Sequence, residues 1–172
     1  MSREIVIIAA MVTLAVLAGC AKEEIPNDAG PAAAQGAPKP RQDVISGVAV
    51  AANGDTILIG DERLDLWGIE APNLDNTDGW YSRAALDRFI GENAELVCII
   101  KVKRRKGQDQ AICSNSKVGD VGRAMLQGGW AIVNRTDKKS QDVDAALAGV
   151  YQRTETRARE SRVGLWARYP LR

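Results

Sequence analysis

Apolar residues are distributed in three different ways along this chain. Across residues 5–18 they form one run with Thr13 as its only polar interruption. Across residues 21–43 there are many alanines and four prolines (Pro26, Pro31, Pro38 and Pro40) but no aromatic residue. From Val44 onward they recur with short periods. Only this third pattern can build a packed core. Residues 44–51, β-branched and small, predict a strand closed by the turn pair Asn53-Gly54. Residues 56–59 and 63–67 predict two short strands flanking Gly60-Asp61, a hairpin signal. Tyr81, Ala85 and Phe89, beside Leu86 and Ile90, have helical spacing, and Gly91 supplies a stop. Residues 95–102 and 109–113 predict a second hairpin around a basic turn, and 121–127 a short helix ended by Gly128-Gly129. A last helix starts from Ser140 as cap, carries Val143, Leu147, Val150, Tyr151, Thr154 and Ala158 on one face, and ends before Gly164. Trp67, Trp80, Trp130 and Trp166 sit within these periodic elements and are expected mostly in the core rather than as base-stacking platforms. Strands first, with helices around them, imply an α+β domain: a small barrel with helical additions.

Composition narrows the chemistry more than the class. The 172 residues are 45% hydrophobic and 26% charged, with 23 basic against 22 acidic side chains. A net charge of +1 gives no whole-molecule attraction to polyanions, so any such attraction must be local. There is no histidine. That excludes Ser-His-Asp and Cys-His catalysis, histidine-ligated zinc and any histidine general base. Catalysis would have to run on carboxylates, arginine, lysine, hydroxyls or an oxygen-held metal. Three cysteines are too few for a disulfide scaffold or a four-cysteine zinc site.

The amino end reads as an address. Arg3 precedes the 5–18 run, which is shorter than the ~20 residues of a spanning helix. It ends in Leu17-Ala18-Gly19-Cys20, which resembles a bacterial lipoprotein signal with its lipidation box. The resemblance implies a signal over residues 1–19, lipid attachment at Cys20, and export to the cell envelope. There the periplasmic face of the outer membrane is favoured over the inner. A plain signal peptide that happens to contain a cysteine is the alternative. Residues 20–43 then read as a flexible tether with a reach of roughly 25 Å, and residues 44–169 as the folded domain.

Over residues 44–166 the chain resembles the staphylococcal nuclease (thermonuclease) family. Asn53-Gly54-Asp55-Thr56 is similar to that family's Asp-Gly-Asp-Thr turn, and Leu66-Trp67-Gly68-Ile69-Glu70-Ala71-Pro72 to its Leu-x-Gly-Ile-Asp-Ala-Pro segment. Gly119-Asp120-Val121-Gly122-Arg123, Gly129-Trp130-Ala131 and Tyr151 through Ala158-Arg159 to Gly164-Leu165-Trp166 follow in the family's order. The resemblance implies a five-stranded OB-type barrel with three helices, and Ca²⁺-dependent hydrolysis of DNA and RNA.

Carried over residue by residue, the resemblance places calcium on Asp55, on Glu70 in place of a second aspartate, and on the Ala71 carbonyl. The alternatives are a turn aspartate bonding its own backbone and a surface carboxylate. The catalytic half departs from the pattern. The two phosphate-binding arginines fall on Asp65 and Gln108, the water-directing glutamate on Asn73, and the nucleotide-packing tyrosine on Lys106. A cation about 5 Å from a phosphate contributes ~3 kcal/mol at an effective dielectric near 20, and an anion there costs as much. Asparagine has no basic lone pair with which to take a proton at neutral pH. The expectation is a catalytically degenerate binding or interaction module. An active Ca²⁺-dependent envelope nuclease is the alternative, with Arg63, Arg104 or Arg105 and Asp75 as replacements.

Lys103, Arg104, Arg105 and Lys106, with Lys101, make a basic hairpin tip. It reads either as a solvated turn that blocks edge pairing or as a contact for nucleic acid or another polyanion, anionic lipid included. Cys98 and Cys113 are equidistant from the centre of that turn and so face each other across the hairpin. In an exported protein they are expected to form a disulfide, with two reduced core cysteines as the alternative.

Overall fold

The computed structural model describes residues 43–169. The expected signal, Cys20 and the expected tether through residue 42 lie outside the described residues. Strand β1 (Val44–Ala51) is central. It pairs antiparallel with β2 (Thr56–Ile59) on one side and, in the register Val44↔Ile99 to Val48↔Glu95, with β5 (Glu95–Val102) on the other. Strand β3 (Glu62–Leu66) pairs with β2, and β6 (Asp109–Asn115) with β5. A parallel pairing of β3 with β6, Asp65 opposite Gln110, closes the sheet on itself. The result is a five-stranded, mixed, OB-like barrel. Short β4 (Ile69–Glu70) pairs with β8 (Ile132–Val133), and β7 (Gly119–Asp120) pairs antiparallel with the end of β6.

Helices cover the barrel as expected from their periodicity, with two corrections. Helix α1 (Thr77–Ile90) is capped by Asn76, whose Oδ1 accepts from the Gly79 N–H at 2.9 Å. It buries Ser82, Ala85, Leu86 and Ile90, and a fully buried leucine contributes roughly 1.5–3 kcal/mol. Trp80 and Tyr81 do not join that face. They are 55% and 48% exposed, so Trp80 is not a core residue. Its ring packs under the Arg83 guanidinium, 5.7 Å from the centroid. Helix α2 (Val121–Gln127) has its expected bounds and is capped by Asp120.

The last helix is two helices. Helix α3 (Lys138–Asp142) is capped by Asp137, and α4 (Ala145–Glu160) by Asp144, which accepts from Leu147 N–H. Ser140 is therefore no cap. It is 3% exposed and its hydroxyl donates to Gln110 Oε1, while its carbonyl accepts the Trp67 indole N–H at 3.1 Å. A polar triad this far from water needs every bond it makes, which holds Ser140 inside the fold. Asp144 also pairs with Lys101 at 2.9 Å, and Val143, between the two helices, is 53% exposed.

Cys98 and Cys113 stand opposite one another in the β5–β6 register, both without solvent exposure, and are joined in a disulfide. Trp67 and Tyr151 pack edge to face at 5.5 Å between barrel and α4. The Tyr151 hydroxyl donates to Asp120 Oδ2 at 2.7 Å, and burial, then the Asp120 charge, push its pKa far up. Among the described residues no helix is long and apolar enough to cross a membrane.

Candidate functional site

The loop–strand geometry gathers most of the sequence-predicted residues around one polar hollow. Gly54 lets the β1–β2 turn press against α1 and the loop that follows β4: a Cβ there would lie 2.6 Å from those of Ala71 and Ser82. That contact brings Asp55 to Ala71, whose N–H donates to Asp55 Oδ2 at 2.8 Å. The Thr56 hydroxyl lies 3.1 Å from Asp55 Oδ1 and 3.0 Å from Asp65 Oδ1, and the strand register sets Thr56 opposite Asp65. Asn53, Asp55, Thr56, Arg63, Asp65, Glu70, Arg104, Gln108, Gln110 and Asn134 together line a cleft of about 270 Å³.

Inside this cleft the positions that decide the chemistry are mutually engaged. With its amide oriented by its neighbours, Gln108 donates to Asp65 at 2.8 and 3.2 Å and accepts from Arg63 Nε at 2.9 Å. Arg104, the other guanidinium of the cleft, is paired with Asp137, and its backbone N–H donates to Asp109 at 2.8 Å. Burial raises the pKa of Asp65 and the Asp55 charge adds to that, against the Thr56 hydroxyl, Arg104 and Arg63.

Asn73 is not part of the cleft. It is exposed, and the first turn of α1 packs on its carbonyl: a Cβ on Gly79 would meet that oxygen at 1.9 Å. Asp75, the alternative carboxylate, is exposed on the same loop and accepts from the Asn76 side chain at 3.3 Å. Arg105 and Lys106 remain at the exposed hairpin tip, outside the cleft lining. Of the four basic residues proposed for polyanion contact, Lys103 pairs with Asp43 at 2.5 Å and Arg104 with Asp137. Among the described residues, Arg105 and Lys106 have no carboxylate within ion-pairing distance.

Calcium is the cofactor that the resemblance implies. The donors present are oxygens, the right kind for a hard cation, but Ca²⁺ takes 6–8 of them. Asp55 Oδ2 already accepts from the Ala71 N–H, its Oδ1 lies beside the Thr56 hydroxyl, and Glu70 adds one exposed carboxylate. Among the described residues no three His, Cys, Asp or Glu side chains converge on one point. The side chains described therefore make only a partial cage for Ca²⁺.

Thr56, Gln110, Asn134 and Asp137 contribute to the cleft or to its electrostatics without having been singled out in the sequence. The visible signal for Asn134 is the run Asn134-Arg135-Thr136-Asp137, in which its side-chain oxygen accepts from the N–H groups of Thr136 and Asp137 at 3.0 and 3.2 Å. On the other side of Glu70 and Ala71 lies a larger open groove of about 810 Å³, walled by Pro72, Ile132, Leu165, Trp166 and the Asp78–Arg168 pair. Its size suits a ligand better than the cleft does, but the carboxylates, amides and guanidiniums gather along the cleft.

No family model matches the chain. The succinoglycan biosynthesis protein ExoI of Rhizobium meliloti (strain 1021) is similar to it, with 29% identity over 136 residues covering 73% of this chain and 66% of that protein. The chain thus matches just under two thirds of that relative's length.

Proposed function

We propose that this chain is an exported, lipid-anchored domain with a thermonuclease-like barrel that binds at its cleft without hydrolysing phosphodiesters. One observation carries this reading. The position expected to hold a phosphate-binding arginine holds Asp65, which accepts from Thr56 and Gln108 and carries a raised pKa. A dianionic transition state would meet a half-buried carboxylate where it needs a guanidinium. The exposed Asn73 offers no base at the cleft, and Asp75 does not line it.

A second reading, a Ca²⁺-dependent envelope nuclease, draws on Arg63 and Arg104 lining the same cleft as Asp55 and Glu70. Against it, both guanidiniums are already engaged, Arg63 by Gln108 and Arg104 by Asp137. Freeing them costs those charge-assisted bonds. The deciding experiment incubates the purified chain with DNA and with RNA, in Ca²⁺ and in chelator. Intact substrate in both conditions, with retention of nucleic acid or polysaccharide in a titration, supports the binding module. Chelator-sensitive nicking discards it. A relative named for succinoglycan biosynthesis is the reason to include an exopolysaccharide among the ligands titrated.

A further inference from the structure

The outer surface of the barrel is least like a solvated surface where β1 meets β5. Successive residues of a strand face opposite sides, and the inward positions Ala49, Ala51, Leu96 and Cys98 are buried. The outward ones are apolar as well: Val44, Val48 and Val50 on β1 are 55%, 51% and 54% exposed, and Val97 on β5 is 47% exposed. The registers Val44↔Ile99 and Val50↔Leu58 add two half-buried neighbours to the same side. Ser46 and Glu95 are the polar positions within this stripe. An ordinary half-solvated sheet alternates apolar with polar. A contiguous apolar patch of this kind marks a contact surface.

Two further features fall at one end of the stripe. Strand β5 runs on past Ile99 into the hairpin tip, where Arg105 and Lys106 are exposed and free of acidic partners among the described residues. The chain also leaves toward its amino terminus there: Asp43 precedes Val44, its carbonyl accepts from Ile100 N–H at 2.9 Å, and its carboxylate pairs with Lys103. Glu95, the acidic member, lies at the opposite end of the pairing. Apolar centre, basic end and departing chain are therefore side by side.

We propose that this face docks on an anionic lipid bilayer, with Val44, Val48, Val50 and Val97 entering the interface and Arg105 and Lys106 against the headgroups. Nucleic acid fits the basic end but gives the valines nothing to cover them. A second copy laid antiparallel would cover the valines, but it would offer the two cations of each basic end only the single carboxylate of Glu95. An anionic bilayer satisfies both parts, since apolar burial and attraction of basic residues to the surface add together. The inference rests on the anchored reading only for how the chain reaches the membrane, because the docking is testable without acylation.

The test uses the full chain as Cys20→Ser, with an environment-sensitive fluorophore on Val48→Cys and, as a control, on Gln152→Cys, exposed on α4. Cys98 and Cys113 are bonded to each other and buried, so they take no label. Vesicles are phosphatidylcholine alone or with about one third phosphatidylglycerol. The expected result is increased emission at position 48 with the anionic vesicles alone and an unchanged signal at position 152. Arg105→Glu with Lys106→Glu should weaken that partitioning by at least about tenfold. Val50→Asp with Val97→Asp should abolish it, with melting temperature within a few degrees of the parent as the folding check. Emission at 48 that stays aqueous while the chain floats with the vesicles overturns the proposal. So does an equal response to both vesicles, or a rise with protein concentration in the absence of lipid, which would assign the face to a second copy. Absence of acyl chains on Cys20 in the native host would overturn the anchored reading alone.

Discussion

Reduction of the Cys98–Cys113 disulfide gives the sharpest test of how this fold is held. The bond closes a loop of 15 residues between the two strands that the rest of the barrel pairs against. In the chain-entropy treatment such a loop contributes about 3 kcal/mol by restricting the unfolded chain. A domain of about 130 residues has an unfolding entropy near 0.27 kcal/mol/K at its midpoint. The loss should lower the melting temperature by about 11 °C. Both sulfurs are fully buried, so the bond must be reduced in denaturant and the protein refolded in reductant, leaving each thiol in its native place. Melting followed by circular dichroism, with and without reductant, reads the shift. A urea titration separates its origin: a freed denatured chain exposes more surface, so the slope should rise on reduction. Midpoints within about 2 °C, with unchanged slopes, would refute the reasoning and place the stability elsewhere.

Further substitutions test the electrostatics and the close contacts. The folded state raises the pKa of Asp65, so folding binds a proton more tightly there. Stability is then lost as pH climbs from the ordinary aspartate range through the raised value. Asp65→Asn should raise the melting temperature at pH 7 and leave it unchanged at pH 3, and a gain of equal size at both would contradict the assignment. Glu155 is 2% exposed and held by Arg135 through contacts of 2.5 and 3.3 Å. Arg135→Ala should cost about 3 kcal/mol in a urea titration by stranding that carboxylate, and the loss should shrink when Glu155→Leu is added. Gly79 and Gly149 should respond to alanine with opposite signs. At Gly79 the new Cβ meets the Asn73 carbonyl at 1.9 Å, and the domain should unfold at much lower temperature. At Gly149 it meets only the mobile end of Arg153 at 3.3 Å, and the melt should show a gain of about 0.5–1 kcal/mol.

The barrel was legible because its strands obey local rules. Small or β-branched residues alternate along 44–51, turn glycines separate the hairpins, and the cysteines mark their own register. The split near Ser140 was not legible. Serine and aspartate are both good caps, and only the buried partner Gln110, thirty residues away, decides that Ser140 goes inward and Asp144 does the capping. Trp80 misled for a related reason: a large aromatic carries a strong prior for burial, yet α1 turns Ser82 and Ala85 inward beside it. At the cleft, Asp55, Glu70 and Gln108 could be placed from motif order. The engagement of Arg104 by Asp137 joins segments 33 residues apart, and no local pattern announces it. The position of Asn73 depended on a missing side chain at Gly79 rather than on any residue that could be read as chemistry.

The parallel seam between β3 and β6 also bears on the order of assembly. Asp65 and Gln110 are partners across it, with all of α1 and β5 between them in the chain. While synthesis has reached only the hairpin tip, β3 presents a bare rim of peptide groups, the kind of rim onto which stray strands graft themselves. Only pairing with residues 109–111 covers that rim. An abridged chain stopping short of them would keep the rim open for good and should precipitate rather than circulate as a smaller barrel.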